Sequence, residues 1–194
     1  MSRPTGQGEK TKRHIAGVAR DLFEQQGYGA TSMEAIAAAA TVSKGNIYYH
    51  FKSKEDLFLY IYETACDEWR ESWRQIAATV KTAREKLYRL ADFYAIESQS
   101  TMTVVANEFA TQNQNPEITT QLLVLLKKDA PVFREILAEG MERGEFRVYP
   151  LEALTSILAS FFYGLGMEVY MEGMEAYLDL QKTAVDFILQ GLQK

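Results

Sequence analysis

Apolar residues recur at spacings of three and four along almost the whole chain, and strand-like alternation is scarce. The pattern predicts a first helix over residues 9–26, with Ile15, Val18, Ala19, Leu22 and Phe23 on one face and Gly27 as a left-handed cap. Thr31 and Glu34 have capping-box spacing for a second helix that carries Met33, Ile36, Ala37 and Ala40. Past Thr41 and Val42, Ser43 caps a third, short helix that runs to about His50. Ser53 and Asp56 open a long fourth helix reaching residue 79. Further helices are expected over residues 82–98, 102–111, 117–140, 150–171 and 175–192. Pro116 and Pro150 suit first helical turns, whereas Pro131 either kinks or splits its segment. The fold class expected is all-α, with about nine helices.

Composition adds little until it is divided. Half of the 194 residues are apolar and a quarter charged, as in a globular protein. The longest apolar stretch, residues 153–167, is shorter than the ~20 residues a membrane helix needs. The first fourteen residues are polar and form no apolar leader, and the single Cys66 excludes an internal disulfide framework. A cytoplasmic protein is the expectation. The net charge of −5 argues against a polyanion partner. Its distribution argues the reverse: residues 1–54 hold eight Lys/Arg against four Asp/Glu, and residues 55–194 hold thirteen against twenty-two. A basic segment of this kind fits a nucleic-acid contact, with an acidic remainder that the same polymer repels. The chain therefore divides into 1–54 and 55–194.

Within the basic segment, two short helices are joined by a tight turn, and the second opens with Ser43-Lys44-Gly45-Asn46. A helix-turn-helix places the N-terminal residues of its second helix at the base edges of the major groove. Lys44 suits guanine O6 or N7, and Asn46 suits the N6/N7 edge of adenine. Gly45 lets the backbone approach closely, and Tyr48, Tyr49 and His50 add hydrogen-bonding tips. Lys52 and Lys54 flank the next helix start, where free amides attract phosphate, and Thr31 and Ser32 stand at another such start. Ile47 and Phe51, four apart, read as core.

The run GYGATSMEAIAAAATVSKGNIYYHFKSKEDLF, residues 27–58, resembles the DNA-binding domain of the TetR family of bacterial repressors. Thr41 stands where that family usually has glycine in the turn. The resemblance implies a C-terminal domain for ligand binding and dimerisation. It also implies a switch in which an effector moves the fourth helix and alters the spacing of two recognition helices. EWRESW (68–73) and REKLY (84–88) resemble the members of the family that sense quaternary ammonium drugs. Trp69 matches an aromatic of their pocket, while Ala65 and Cys66 replace its acidic positions.

The residues of the acidic part supply their own candidates. Trp69, Trp73, Tyr94, Glu97, Met102, Glu108 and Phe109 form an aromatic and acidic set on consecutive helices, suited to a small apolar or cationic effector. Leu154, Leu158, Phe161, Phe162 and Leu165 make one broad apolar stripe, and Leu180, Ala184, Phe187 and Ile188 make another. Two such helices per chain build a four-helix bundle across a two-fold axis, or else close the chain's own core. A homodimer on palindromic double-stranded DNA, with no membrane contact, is the expectation. No cofactor or metal is expected, because the two histidines and one cysteine make no ligand cluster. No nucleophile elbow, phosphate-binding glycine loop or paired acid/base site stands out either, so an enzyme is not expected. The other reading is a DNA-binding regulator controlled by a protein partner, with no small-molecule ligand.

Overall fold

A computed structural model of the chain describes residues 6–166 and 173–192, and no strand occurs among them. The helices are α1 (Gly6–Gln26), α2 (Met33–Ala39), α3 (Lys44–His50), α4 (Lys54–Ala78), α5 (Ala83–Glu97), α6 (Thr101–Gln112), α7 (Pro116–Leu126), α8 (Ala130–Glu142), α9 (Leu151–Leu165) and α10 (Met174–Leu192). The single helix expected over 117–140 is split. A short 3-10 turn, Lys127–Asp129, separates α7 from α8, and Pro131 falls in the first turn of α8, where its missing N–H costs nothing. The helix expected over 150–171 is described as far as Leu165, and residues 167–171 of that expectation lie outside the described residues.

Helix starts follow the local chemistry of the sequence. Ser43 Oγ accepts from the Asn46 amide, and Ser53 Oγ accepts from that of Asp56, whose carboxylate accepts in turn from the Lys52 amide. Thr82 and Glu85 form a complete capping box at α5. At α2 the cap is Ser32, which accepts from Ala35, one residue later than the expected Thr31.

The chain forms two compact units. The first, the head, joins Met1–Cys66 to Thr101–Leu126, and the second, the body, joins Asp67–Ser100 to Lys127–Lys194. Helix α4 contributes residues to both. The basic segment is thus part of a larger packed unit that also contains α6 and α7. An aromatic quartet lies in its core: Phe58 stacks on Phe109 at 4.2 Å, and Tyr28 meets Phe23, Phe58 and Phe109 at 5.4, 5.4 and 4.9 Å. Ile15, Ala19, Ile36 and Ile47 bury the inner faces of α1, α2 and α3 against the same core. In the body, α5 packs on α8 and α10, and α8 on α9, around Leu87, Leu90, Phe133, Leu137, Phe162 and Val185.

Candidate nucleic-acid interface and aromatic core

Helix α2 ends in two backbone bonds, Thr41 N to Ala38 O and Val42 N to Ala37 O, with Thr41 at a φ of 55°. This is a Schellman end with threonine in the left-handed position that glycine fills without strain. The chain then reverses directly into α3. Ile47 is fully buried and Phe51 nearly so, which anchors the short helix by one side. Its other side is open. Ser43, Lys44, Gly45, Asn46, Tyr48 and Tyr49 are exposed, Tyr49 at 83%, and the His50 ring packs edge-on against Tyr49. A Cβ added at Gly45 would meet nothing nearer than Ser43 Oγ at 4.0 Å, so nothing inside the chain demands glycine there. Lys44 Nζ donates to Glu34 Oε1 at 2.8 Å, and each holds the other charged: the bond lowers the glutamate pKa and raises that of lysine. Lys52 and Ser32 are exposed as well.

Two of the expected DNA contacts are engaged within the fold. Thr31 is 2% exposed, and its hydroxyl donates to Gly27 O, so it is a packing residue of the α1–α2 turn and leaves the set. Lys54 is half-buried, and its ammonium donates to Tyr28 O and Thr31 O and lies 4.1 Å from the Tyr28 ring. Burial lowers its pKa, opposed by Glu55 and Glu108. Its charge serves the turn and is not held out for phosphate. Sequence reading missed this because the carbonyls involved are 23 and 26 residues away.

The expected ligand set divides between the units. Met102 and Phe109 are buried in the head's core, and the Glu108 carboxylate accepts from the amides of Tyr28 and Gly29, so these three are structural parts of the head. Trp69, Trp73, Tyr94 and Glu97 belong to the body. There Trp69 lies 5.1 Å from Phe93 and 5.0 Å from Tyr94, and Tyr94 lies 5.8 Å from Phe133 and 5.5 Å from Phe162. Trp73, 2% exposed, backs Phe93. Burial raises the Glu97 pKa.

A residue absent from that set stands beside these rings. The Tyr94 hydroxyl donates to Asp129 Oδ2 at 3.3 Å, while Asp129 Oδ1 is enclosed without a hydrogen-bond partner. Burial pushes this carboxyl up to about 6, against the lowering effects of the Tyr94 bond and the Arg70 charge. An acidic residue set directly before Ala130-Pro131 in an apolar helical pattern was the available signal. A polar recess of about 520 Å³ in the head is lined by Ser53, Glu55, residues 112–115 and Ile118.

The apolar stripes of α9 and α10 are each two-sided. Leu158, Phe162 and Ala184 are 2%, 0% and 6% exposed and belong to the chain's own core, so they leave the expected interface. Leu154, Phe161, Leu165 and Ile188 are half-buried. Phe187 at 71% and Leu180 at 37% are exposed one above the other on α10, and on α9 Ile157, at 64%, is exposed where the sequence reading had passed over it.

Comparison with known proteins assigns both parts of the chain. The model of bacterial regulatory proteins of the tetR family matches residues 15–61, and that of the QacR-like protein C-terminal region matches residues 65–194. The HTH-type transcriptional regulator QacR of Staphylococcus aureus is 31% identical over 188 residues, 94% of this chain and 98% of that protein. The chain belongs to the TetR family. Its exposed α3 is accordingly the second helix of a TetR-family helix-turn-helix, and the protein is a transcriptional regulator. Solved structures share the fold. A regulator from Pectobacterium atrosepticum superposes with a TM-score of 0.82 at 20% identity, covering 98% of each chain. A regulator from Saccharomonospora viridis, solved in complex with choline, superposes with a TM-score of 0.71 at 22% identity, covering 96% of this chain and 99% of that one. Among the described residues of this TetR-family chain no helix is long and apolar enough to cross a membrane.

Proposed function

We propose that this TetR-family regulator is a cytoplasmic repressor that binds a two-fold symmetric operator as a homodimer and releases it when an apolar monocation enters the body. The observation that carries the DNA reading is the open side of α3. Ser43, Lys44, Gly45 and Asn46 present a cation, an amide and bare backbone at the end of the helix that enters a major groove. Tyr48, Tyr49 and His50 further along α3, with Ser32 and Lys52 outside it, contact phosphate or base edges. Phe187 and Leu180 on α10 and Ile157 on α9, with the half-buried Leu154, Phe161, Leu165 and Ile188, support the dimer, because exposed apolar helix faces mark sites of association.

The effector class rests on Asp129 and the rings of Trp69, Tyr94, Phe133 and Phe162. A buried carboxylate oxygen without a hydrogen-bond partner is unfavourable when charged, and a cation set among aromatic faces supplies a counter-charge. Effector and operator oppose each other by the same factor, because coupling is reciprocal. Selection of bound fragments from random duplexes tests the operator reading, with a palindrome expected. Tetraphenylphosphonium tests the effector: it is expected to raise the melting temperature and release the selected duplex, whereas the isosteric anion tetraphenylborate does neither. Equal responses to both ions would remove the cation reading. A protein deaf to every small molecule screened, yet bound to its operator, would favour control by a protein partner.

A further inference from the structure

We infer that Glu108 is a positioning residue for DNA recognition: from α6 it holds the turn that sets the direction of the α2–α3 reader. This rests on the DNA reading above and names a residue far outside the helix-turn-helix. The geometry is specific. Glu108 Oε2 accepts from the Tyr28 amide at 2.8 Å, and Oε1 accepts from the Gly29 amide at 2.9 Å and from Gln112 Nε2 at 2.9 Å. The turn approaches α6 so closely that a Cβ at Gly27, whose φ is +85°, would stand 2.8 Å from Glu108 Oε2. At Gly29 it would stand 2.9 Å from Gln112 Nε2. The Gly29 amide, and then that of Tyr28, keep the Glu108 carboxyl below the usual carboxylate range, so it is charged at neutral pH.

Lys54 completes a clasp on the same residue. Its ammonium takes the Tyr28 carbonyl at 2.9 Å and the Thr31 carbonyl at 3.0 Å, and it covers the Tyr28 ring. Tyr28 is thereby held by its N–H from α6, by its carbonyl from α4, and by its ring between Phe23, Phe58 and Phe109. Thr31 directly precedes Ser32, the cap of α2, so the clasp fixes the point from which α2 departs. Helices α2 and α3 follow as a unit, tied by the Schellman bonds and by the Lys44–Glu34 pair. Removing the Glu108 carboxylate frees two amides of that turn, and neutralising it to the amide frees one, while every residue of the reading face stays intact.

The test compares wild type, Glu108→Ala and Glu108→Gln on two duplexes, the fragment selected by the wild type and a scrambled fragment of equal length. Helix content and melting temperature are followed alongside. Glu108→Ala is expected to lose tenfold or more in affinity for the selected duplex and to hold the scrambled one as before. A phosphate contact depends on charge, whereas base readout depends on angle. Glu108→Gln is expected to recover part of the loss, because its amide oxygen accepts from one of the two N–H groups. Specific affinity within twofold of wild type in a folded Glu108→Ala overturns the inference. So does a parallel fall on both duplexes that tracks the melting temperature, which marks a stabilising role alone. Should Glu108→Ala fail to fold, Glu108→Gln decides by the same criteria. Wild-type protein that selects no duplex defeats the DNA reading itself, before any variant is compared, and this inference with it.

Discussion

The head and the body of this chain treat charged side chains differently. In the head, the charged groups turned toward the chain are matched: Lys54 donates to two carbonyls and Glu108 accepts from two amides, while the enclosed Tyr28 hydroxyl has no hydrogen-bond partner. The groups left over, on α3, face outward in a row of short polar side chains and one glycine. In the body, an aromatic core encloses a carboxylate oxygen with no hydrogen-bond partner. A polyanion too large to enter a protein is met by an exposed, rigidly mounted surface. On the proposed reading, a small apolar cation would be met by rings and an incompletely matched charge inside. The proposed reader thus offers its polar groups at the surface, and the proposed sensor encloses its carboxylate.

Substitution of Lys44 gives the largest expected effect and bears on the head. Lys44→Ala is expected to weaken binding to the selected duplex about tenfold to a hundredfold per half-site, with little change on scrambled DNA, measured by titration at fixed salt. The Glu34 partner has to release the lysine first, so Glu34→Ala should move affinity the other way. An unchanged affinity in Lys44→Ala would break the assignment of α3 as the reader.

The second prediction bears on the body. Asp129 has a pKa of about 6 in the folded protein against 3.8 ordinarily, so the folded state holds this proton more tightly than the unfolded chain does. Its contribution to stability is therefore fully present below pH ~4 and is lost as pH rises through 6, by roughly 2–3 kcal/mol. Asp129→Asn, which removes this loss, is expected to melt higher than wild type at pH 8 and together with it at pH 4. The same variant should lose its response to tetraphenylphosphonium. Parallel melting curves at both pH values would show that the carboxylate is already compensated and that the contrast with the head fails.

The smallest effect sharpens the contrast at a single atom. Gly45→Ala adds a methyl group into open space in a helix, so it should leave the fold intact or stabilise it by about 0.5–1 kcal/mol. It should nonetheless weaken operator binding several-fold, because the methyl stands where the backbone meets DNA. Tighter folding with undiminished binding would show that α3 does not approach the duplex by this end.

Much of this was legible in the sequence. The caps at Ser43 and Ser53, the left-handed position at Gly27 and the helix start near Thr82 all depend on neighbours within a few residues. The α7–α8 split was legible only as an ambiguity, since Pro131 permits a kink or a break and Asp129, the residue that ends the 3-10 turn, is enclosed by its tertiary surroundings. The expected ligand set failed as a set for a similar reason. Aromatic and acidic residues on consecutive helices look alike in sequence, yet Phe109 and Glu108 pack into one unit and Trp69 and Tyr94 into the other.

The sequence alone determined the helices, most of their ends and the identity of the reading segment. Hydrogen bonds three or four residues apart and the chemistry of a cap are local interactions. The tertiary structure alone decided which polar and apolar groups remain free. Lys54 and Glu108 are engaged by a turn 26 and 80 residues away, Leu158 and Phe162 are buried while Ile157 is bare, and Asp129 is enclosed with an oxygen unmatched. Whether a group is matched depends on atoms brought together by packing, and spacing along the chain does not carry that information.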